Sequence, residues 1–461
     1  MLFSSMTFVF LFLPIVATLY FLSRRELKNH VLLVASIVFY AWGEPDYLAI
    51  MIATIIINWA GALCIEKYRK KARSILSCTI CADLSFLFYF KYFNFVVENI
   101  NALCSADISL IDVVMPIGIS FYTFQAMSYL IDVYRREAQA QRDLAKLALY
   151  ITLFPQLVAG PIVKYHDVAD QISNREESSE KAVYGIKRFI IGLAKKILIA
   201  NTLGAVADKI FSQPVEQFNA LTAWIGAIAY SFQLFYDFSG YSDMAIGLGA
   251  IFGFKFLENF NYPYISKSIT EFWHRWHISL STWFKEYLYI PLGGNRVGKK
   301  RNLLNLFIVF LATGVWHGAS WTFVVWGLWH GLFIIVEKLT GWHKNETKSF
   351  LHHAYAIFVV VIGWVVFRAD TLSYAVEYLK NMFGFVRGRD ISYTTAYYID
   401  NIEIIAFVIA ALCAMPVCKN ILFVRNKAGL VLVNLGLVLL FVLAVASMAA
   451  STYNPFIYFR F

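Results

Sequence analysis

The chain has 461 residues, of which 59% are hydrophobic and 15% charged, with a formal net charge of +10 and a mean hydropathy of +0.60. Ordinary soluble domains are about 45–50% apolar and about 25% charged, so the chain reads as a polytopic membrane protein. That excludes a soluble Rossmann or barrel enzyme, a disulfide scaffold and a nucleic-acid-binding module. The basic residues sit mainly in short loops beside apolar stretches, which the positive-inside rule explains without an acidic partner.

Residues 1–5 lack the basic segment of a cleavable signal, so the first apolar run is expected to stay as a helix. Apolar stretches lie near residues 5–22, 31–42, 46–63, 74–97, 113–131, 144–160, 183–206, 220–236, 241–256, 302–317, 321–337, 354–367, 402–416 and 429–448. Several are shorter than the ~20 residues of a perpendicular span, so about ten to thirteen crossings are expected, the rest being re-entrant or interfacial. All belong to one membrane-embedded domain, residues 1–461. The six cysteines, Cys64, Cys78, Cys81, Cys104, Cys413 and Cys418, offer one C-x-x-C pair and no second pair to complete a zinc site. All six are expected as small core residues.

Loop charge gives the orientation. Arg24, Arg25 and Lys28, then Lys67, Arg69, Lys70, Lys71 and Arg73, then Arg135, Arg136, Arg142 and Lys146, mark one face as cytoplasmic. Residues 43–46 carry no base, and 98–112 carry only Glu98, Asp107 and Asp112, so they and the N-terminus are expected outside. Residues 258–295 mix charged side chains with dense aromatics, too polar to span lipid, and read as re-entrant or interfacial helices. Lys419, Arg425 and Lys427 precede the final stretch, which directs the tail, residues 449–461, to the extracytoplasmic side.

Among nine histidines, His317 and His330 stand inside apolar runs, TGVWHGASW and WGLWHG. An ionisable group there is costly unless it faces a cavity or partner, so both are functional candidates, the plain alternative being a histidine bonded between helices. A neutral imidazole also serves as a general base near pH 7. His274 and His277, at i and i+3 in FWHRWH, occupy neighbouring helix positions, but no third ligand or H-E-x-x-H pattern accompanies them, so no metal is expected. Asp237 and Asp243 flank an apparent break between two apolar runs, expected to be capped by them or to line a polar cavity. Ser242 lacks a G-x-S-x-G elbow because position 244 is methionine. Lys195 and Lys196 are expected to snorkel to the interface.

The run from Ser266 to Arg296, SKSITEFWHRWHISLSTWFKEYLYIPLGGNR, with TGVWHGASWTFVVWGLWHG at Thr313 to Gly331, resembles the membrane-bound O-acyltransferase superfamily, in particular its bacterial alginate O-acetylation and peptidoglycan O-acetyltransferase-like branch. FPQLVAGPIVKYHD from Phe154 and DFSGYSDMAIGLGAIFGF from Asp237 extend the resemblance over nearly the whole chain. It implies an all-α bundle around a central tunnel in the bacterial inner membrane, with a donor thioester entering from the cytoplasm and the acceptor from outside. By position, His317 matches the catalytic histidine and His277 a second polar tunnel residue, while an arginine is commoner where His274 stands.

The implied chemistry is transfer of acetyl from acetyl-CoA for O-acetylation of an exported polysaccharide, delivered by a periplasmic or extracellular acetyltransferase partner. His317 is the expected base. His277, Trp316 or a serine hydroxyl such as Ser281 is expected to position the carbonyl, and the sequence does not choose among them. His274, His330 and Asp237 complete the expected substrate contacts. Arg296, Lys299 and Arg301 are expected to attract coenzyme A phosphates, although a positive-inside loop explains them more simply. The C-terminal FIYFRF fits F-x-Y-x-x-F and is similar to the tail of a small partner in the D-alanyl transferase branch, which implies Tyr458 as an acyl relay. The alternatives are D-alanyl transfer to teichoic acid from a carrier-protein thioester, a proton-coupled transporter, and an inactive scaffold subunit.

Overall fold

A computed structural model describes the chain except residues 159, 343–349, 387–390, 392, 419–425, 452 and 456–461. Every regular element among the described residues is helical. Six helices are long and apolar enough to cross a membrane: Pro45–Lys67, Arg69–Cys104, Ser179–Phe211, Trp321–Thr340, Phe350–Arg368 and Lys427–Ala450. Phe8–Leu22 and Asn401–Cys413 are shorter apolar helices. Their outward faces keep large apolar side chains, such as Leu432, Leu435, Val438 and Leu439, exposed. A helix apolar all round is suited to lipid rather than water, and the chain is a multi-pass membrane protein.

The chain divides into two compact units, one of Met1–Phe189 with Met244–Leu257, the other of Ile190–Asp243 with Glu258–Phe461. The first is built on an aromatic core in which Phe39 packs on Phe8 and Phe12, with Phe154 against both Phe12 and Phe39. Two polar pairs tie its helices together: Asn58 donates to Asp83 at 2.8 Å, and His166 pairs with Asp132 at 2.9 Å.

The second unit holds every candidate residue that the structure describes. Its centre is a hairpin of two helices, Lys299–His317 and Trp321–Thr340, joined by three residues. Gly314 and Gly327 face each other across it. A Cβ on Gly327 would come 2.4 Å from the Phe310 carbonyl, and one on Gly314 2.5 Å from that of Phe323. Small residues are what let membrane helices approach this closely. Ser320 accepts from the Thr322 amide at 3.3 Å and caps the return helix, so the turn holding His317 is fixed from both sides.

Three expectations are corrected. Residues 220–256 contain no break at 237–243, because Ala220–Ile251 is one helix of 32 residues. Its carboxylates are not caps: Asp237 pairs with Lys196 at 2.6 Å and Asp243 with Lys195 at 2.7 Å, so the polar strip is a helix face turned to a partner helix. Lys196 therefore does not snorkel; its side chain is 3% exposed. The cysteines are not all core residues either, since Cys78, Cys81 and Cys104 are exposed. On a membrane helix the outer face is apolar too, so a small apolar residue need not face inward.

Residues 258–295 form short pieces, Pro263–Ile265, Ile269–Arg275, Ile278–Phe284 and Lys285–Tyr289, and none of the six candidate spans falls there.

Candidate active site

His277 sits at the head of Ile278–Phe284 with φ +44° and ψ +55°. A left-handed backbone is costly for a side-chain-bearing residue and persists only where neighbours enforce it. Asn259 does so: its carbonyl accepts from the Ile278 amide at 2.9 Å and its side chain from the Ser279 amide at 3.0 Å. Two residues on, Asn261 and Arg275 exchange backbone and side-chain bonds at 2.9 and 3.0 Å. The preceding helix is fixed by buried Glu337, whose carboxylate accepts from the Ile269 amide at 2.5 Å, the Thr270 amide at 2.9 Å and the Thr270 hydroxyl at 2.7 Å.

The His277 imidazole is 2% exposed. Burial pushes it well below the ordinary histidine range, so it is neutral at pH 7. Its Nδ1 lies 3.5 Å from the Ser279 hydroxyl, and its Nε2 has no hydrogen-bond partner among the described residues. A neutral ring keeps one N–H donor and one acceptor.

The Trp316 ring meets both histidines, its centroid 6.4 Å from that of His277 and 5.0 Å from that of His317. His317 ends its helix 6% exposed, edge-on to Trp326 at 4.9 Å and to Phe367 at 5.3 Å. The structure thus brings His277, Trp316 and His317 into one interior cluster walled by aromatic rings.

A cavity of about 390 Å³ is lined by Trp273, His274, Ser281, Lys285, Thr313 and Lys338 among others, and His277, Trp316 and His317 stand behind this lining rather than in it. Thr313 precedes His317 by four residues and Ser281 follows His277 by four, so each is one helical turn from a histidine. Burial and the Lys285 ammonium hold His274 below its ordinary value, against the pull of Glu271. Ser281 donates to the Trp276 carbonyl at 3.4 Å.

Other candidates fall elsewhere. His330 is fully buried among Phe272, Trp273, Trp326 and Trp364, at 5.2 to 6.3 Å between ring centroids, and is not among the cavity-lining residues. Asp237 faces Lys196. Arg296, Lys299 and Arg301 are exposed at the start of the Lys299–His317 helix and do not line the cavity either. The cations that do are Lys285 and Lys338, which no motif singled out. Asn259 and Glu337 were missed too, because their partners stand 19 to 20 and 67 to 68 residues along the chain. Tyr458 lies outside the described residues.

A buried imidazole pair with an adjoining cavity, inside a polytopic helical membrane protein, is the kind of site that suits group transfer in a water-poor interior. Comparison with known proteins makes this specific. Residues 83–368 match the model of MBOAT, the membrane-bound O-acyltransferase family. The chain is 41% identical to the probable alginate O-acetylase AlgI of Pseudomonas putida, over all of both proteins. It is 47% identical to that of Pseudomonas syringae pv. tomato, over 84% of this chain and 76% of the relative. The peptidoglycan O-acetyltransferase of Helicobacter pylori is 36% identical over 83% of this chain and 80% of its own. The chain belongs to the membrane-bound O-acyltransferase family, and it is an enzyme of the O-acetyltransferase class. The transporter and scaffold readings are set aside.

Proposed function

We propose that the chain moves acetyl from cytoplasmic acetyl-CoA across a bacterial inner membrane for O-acetylation of an exported polysaccharide of the alginate or peptidoglycan type, with an extracytoplasmic partner completing delivery. The observation that carries this is the joining of His277, Trp316 and His317 in one buried cluster beside the cavity. Its mostly apolar lining suits an acyl-pantetheine arm, and Lys285 and Lys338 suit phosphate groups. Arg296, Lys299 and Arg301, placed around a helix N-terminus where cations are disfavoured, serve as an outer attractor for the same anion.

His317 takes the proton of the accepting hydroxyl as its oxygen attacks the thioester carbonyl. The His277 N–H stabilises the oxyanion that forms, aided by a dry aromatic surround. On collapse the carbon–sulfur bond breaks and His317 returns the proton to the departing thiolate. Tyr458 is the first acceptor in this reading, and a second hydroxyl then takes acetyl from the tyrosyl ester with His317 again as base.

Three contacts support the reach. Phe367 packs on His317, and the next residue, Arg368, donates to Asp208 at 2.8 Å. Asp208 also accepts from the Tyr453 hydroxyl at 2.7 Å.

The test is labelled-acetyl transfer from acetyl-CoA in membranes bearing wild type, His317→Ala or Tyr458→Phe at matched expression. An acetylated tail peptide in wild type, absent from both variants, is expected. Full turnover by Tyr458→Phe removes the relay alone. Labelling only from a D-alanyl carrier-protein thioester moves the donor to the D-alanyl branch.

A further inference from the structure

The start of the tail is held by charge buried in the second unit. Lys196 and Asp237 are 3% and 0% exposed in their side chains and stand 2.6 Å apart. A buried ammonium needs more than one partner, because it carries three donors and loses its hydration. Here a second partner is the chain's own terminus: Lys196 Nζ also donates to the Pro455 carbonyl. One helical turn on, the Asn201 amide donates at 3.4 Å to the Tyr453 carbonyl and at 3.4 Å to the Asn454 side chain. Tyr453 itself is bonded to Asp208, which Arg368 holds.

Terminal residues ordinarily fray unless tied down. This one is tied at three successive residues, 453 to 455, by side chains from 196 to 208. Proline adds stiffness: its ring fixes φ, and the residue before it is biased to extended backbone, so Asn454-Pro455 has little freedom within the seat.

We propose that Lys196, held by Asp237, is a positioning residue: with Asn201 and Asp208 it forms a seat that fixes the tail at Pro455 and so sets how far Tyr458 reaches. Asp237 then acts on the reaction through Lys196 and does not touch the glycan. The effect on transfer rests on the tyrosine relay proposed above; the seat does not.

The test uses the full chain in lipid nanodiscs, comparing wild type, Lys196→Met/Asp237→Leu, Lys196→Arg and Asn201→Ala. The double change removes both buried charges together, so neither is stranded. Hydrogen exchange of a peptide ending at residue 455 is expected to quicken about tenfold in the double variant and less in Asn201→Ala, with the transmembrane helices unchanged. The rate of Tyr458 acetylation falls by a similar factor at unchanged KM for acetyl-CoA, and Lys196→Arg restores much of it. Should the double variant fail to fold, Asn201→Ala, which leaves the ion pair intact, reads the same tail exchange. Equal tail exchange in every folded variant overturns the seat. Faster tail exchange without any Tyr458 acetylation in wild type keeps the seat and removes the relay.

Discussion

Two histidines in this chain show how setting decides role. In the first unit His166 is held between carboxylates, Asp132 at 2.9 Å and Asp167 at 3.4 Å, with its side chain 31% exposed. In the second, His277 is buried in aromatic surroundings with Nε2 unpartnered among the described residues. A ring whose two nitrogens are engaged by acids locks the helix Tyr165–Asn174 to the helix Ile119–Arg135. A buried ring with an open nitrogen keeps a donor or acceptor for something that arrives. Burying a polar atom without a partner costs roughly 1–3 kcal/mol, and His277 shares that cost with His330, whose two ring nitrogens also lack partners among the described residues.

The sharpest way to break this comparison is to remove each ring. His317→Ala should lower acetyl transfer per folded molecule by about 10²–10⁴-fold, the usual worth of a general base. His166→Ala should keep transfer near wild type per folded molecule but lose about 1–3 kcal/mol of stability, since buried Asp132 loses one of its hydrogen bonds. Equal loss of transfer from both would erase the distinction.

A finer cut comes at His277. Glycine accepts φ +44° without strain, so His277→Gly should fold as well as wild type while kcat falls about 10²-fold, the scale of one lost oxyanion donor. A fall in stability instead would make the ring a packing element.

The cavity offers a smaller effect. Lys285→Met with Lys338→Met should raise KM for acetyl-CoA about tenfold with kcat little changed, whereas neutralising exposed Arg296, Lys299 and Arg301 should move it less and lose its effect at high salt. Steady-state kinetics in two salt concentrations separates the two sets.

The smallest effect lies in the first unit, at Glu177. Burial raises its carboxyl, but hydrogen bonds from Lys28 and Tyr20 and the Arg175 charge outweigh that and hold it below its ordinary 4.5. The folded state therefore favours the carboxylate. Its contribution is complete above 4.5 and is lost as pH falls through the lowered folded value. Melting curves across that range should show a shallower acid limb in Glu177→Gln.

Much of the candidate site was legible in the linear chain. His277, Trp316 and His317 sit in long, specific strings, and intramembrane histidines announce themselves by cost. His330 carries the same signal and, like His277 and His317, is packed among aromatic rings behind the cavity lining, but it lacks their contact with Trp316. Composition marks a residue as costly; only its neighbours determine whether it faces substrate or core.

Sequence alone determined the membrane class, the family and the histidine motifs, because hydropathy and contiguous strings are properties of neighbouring residues. It misjudged Asp237 and Lys196, since a carboxylate and an ammonium 41 positions apart each look like breaks or anchors until they meet at 2.6 Å. Tertiary structure alone decided that pairing, the capping of Ile269–Arg275 by Glu337, and the left-handed turn that Asn259 imposes on His277. Each joins segments distant in sequence, and local pattern carries no information about which helix faces will touch.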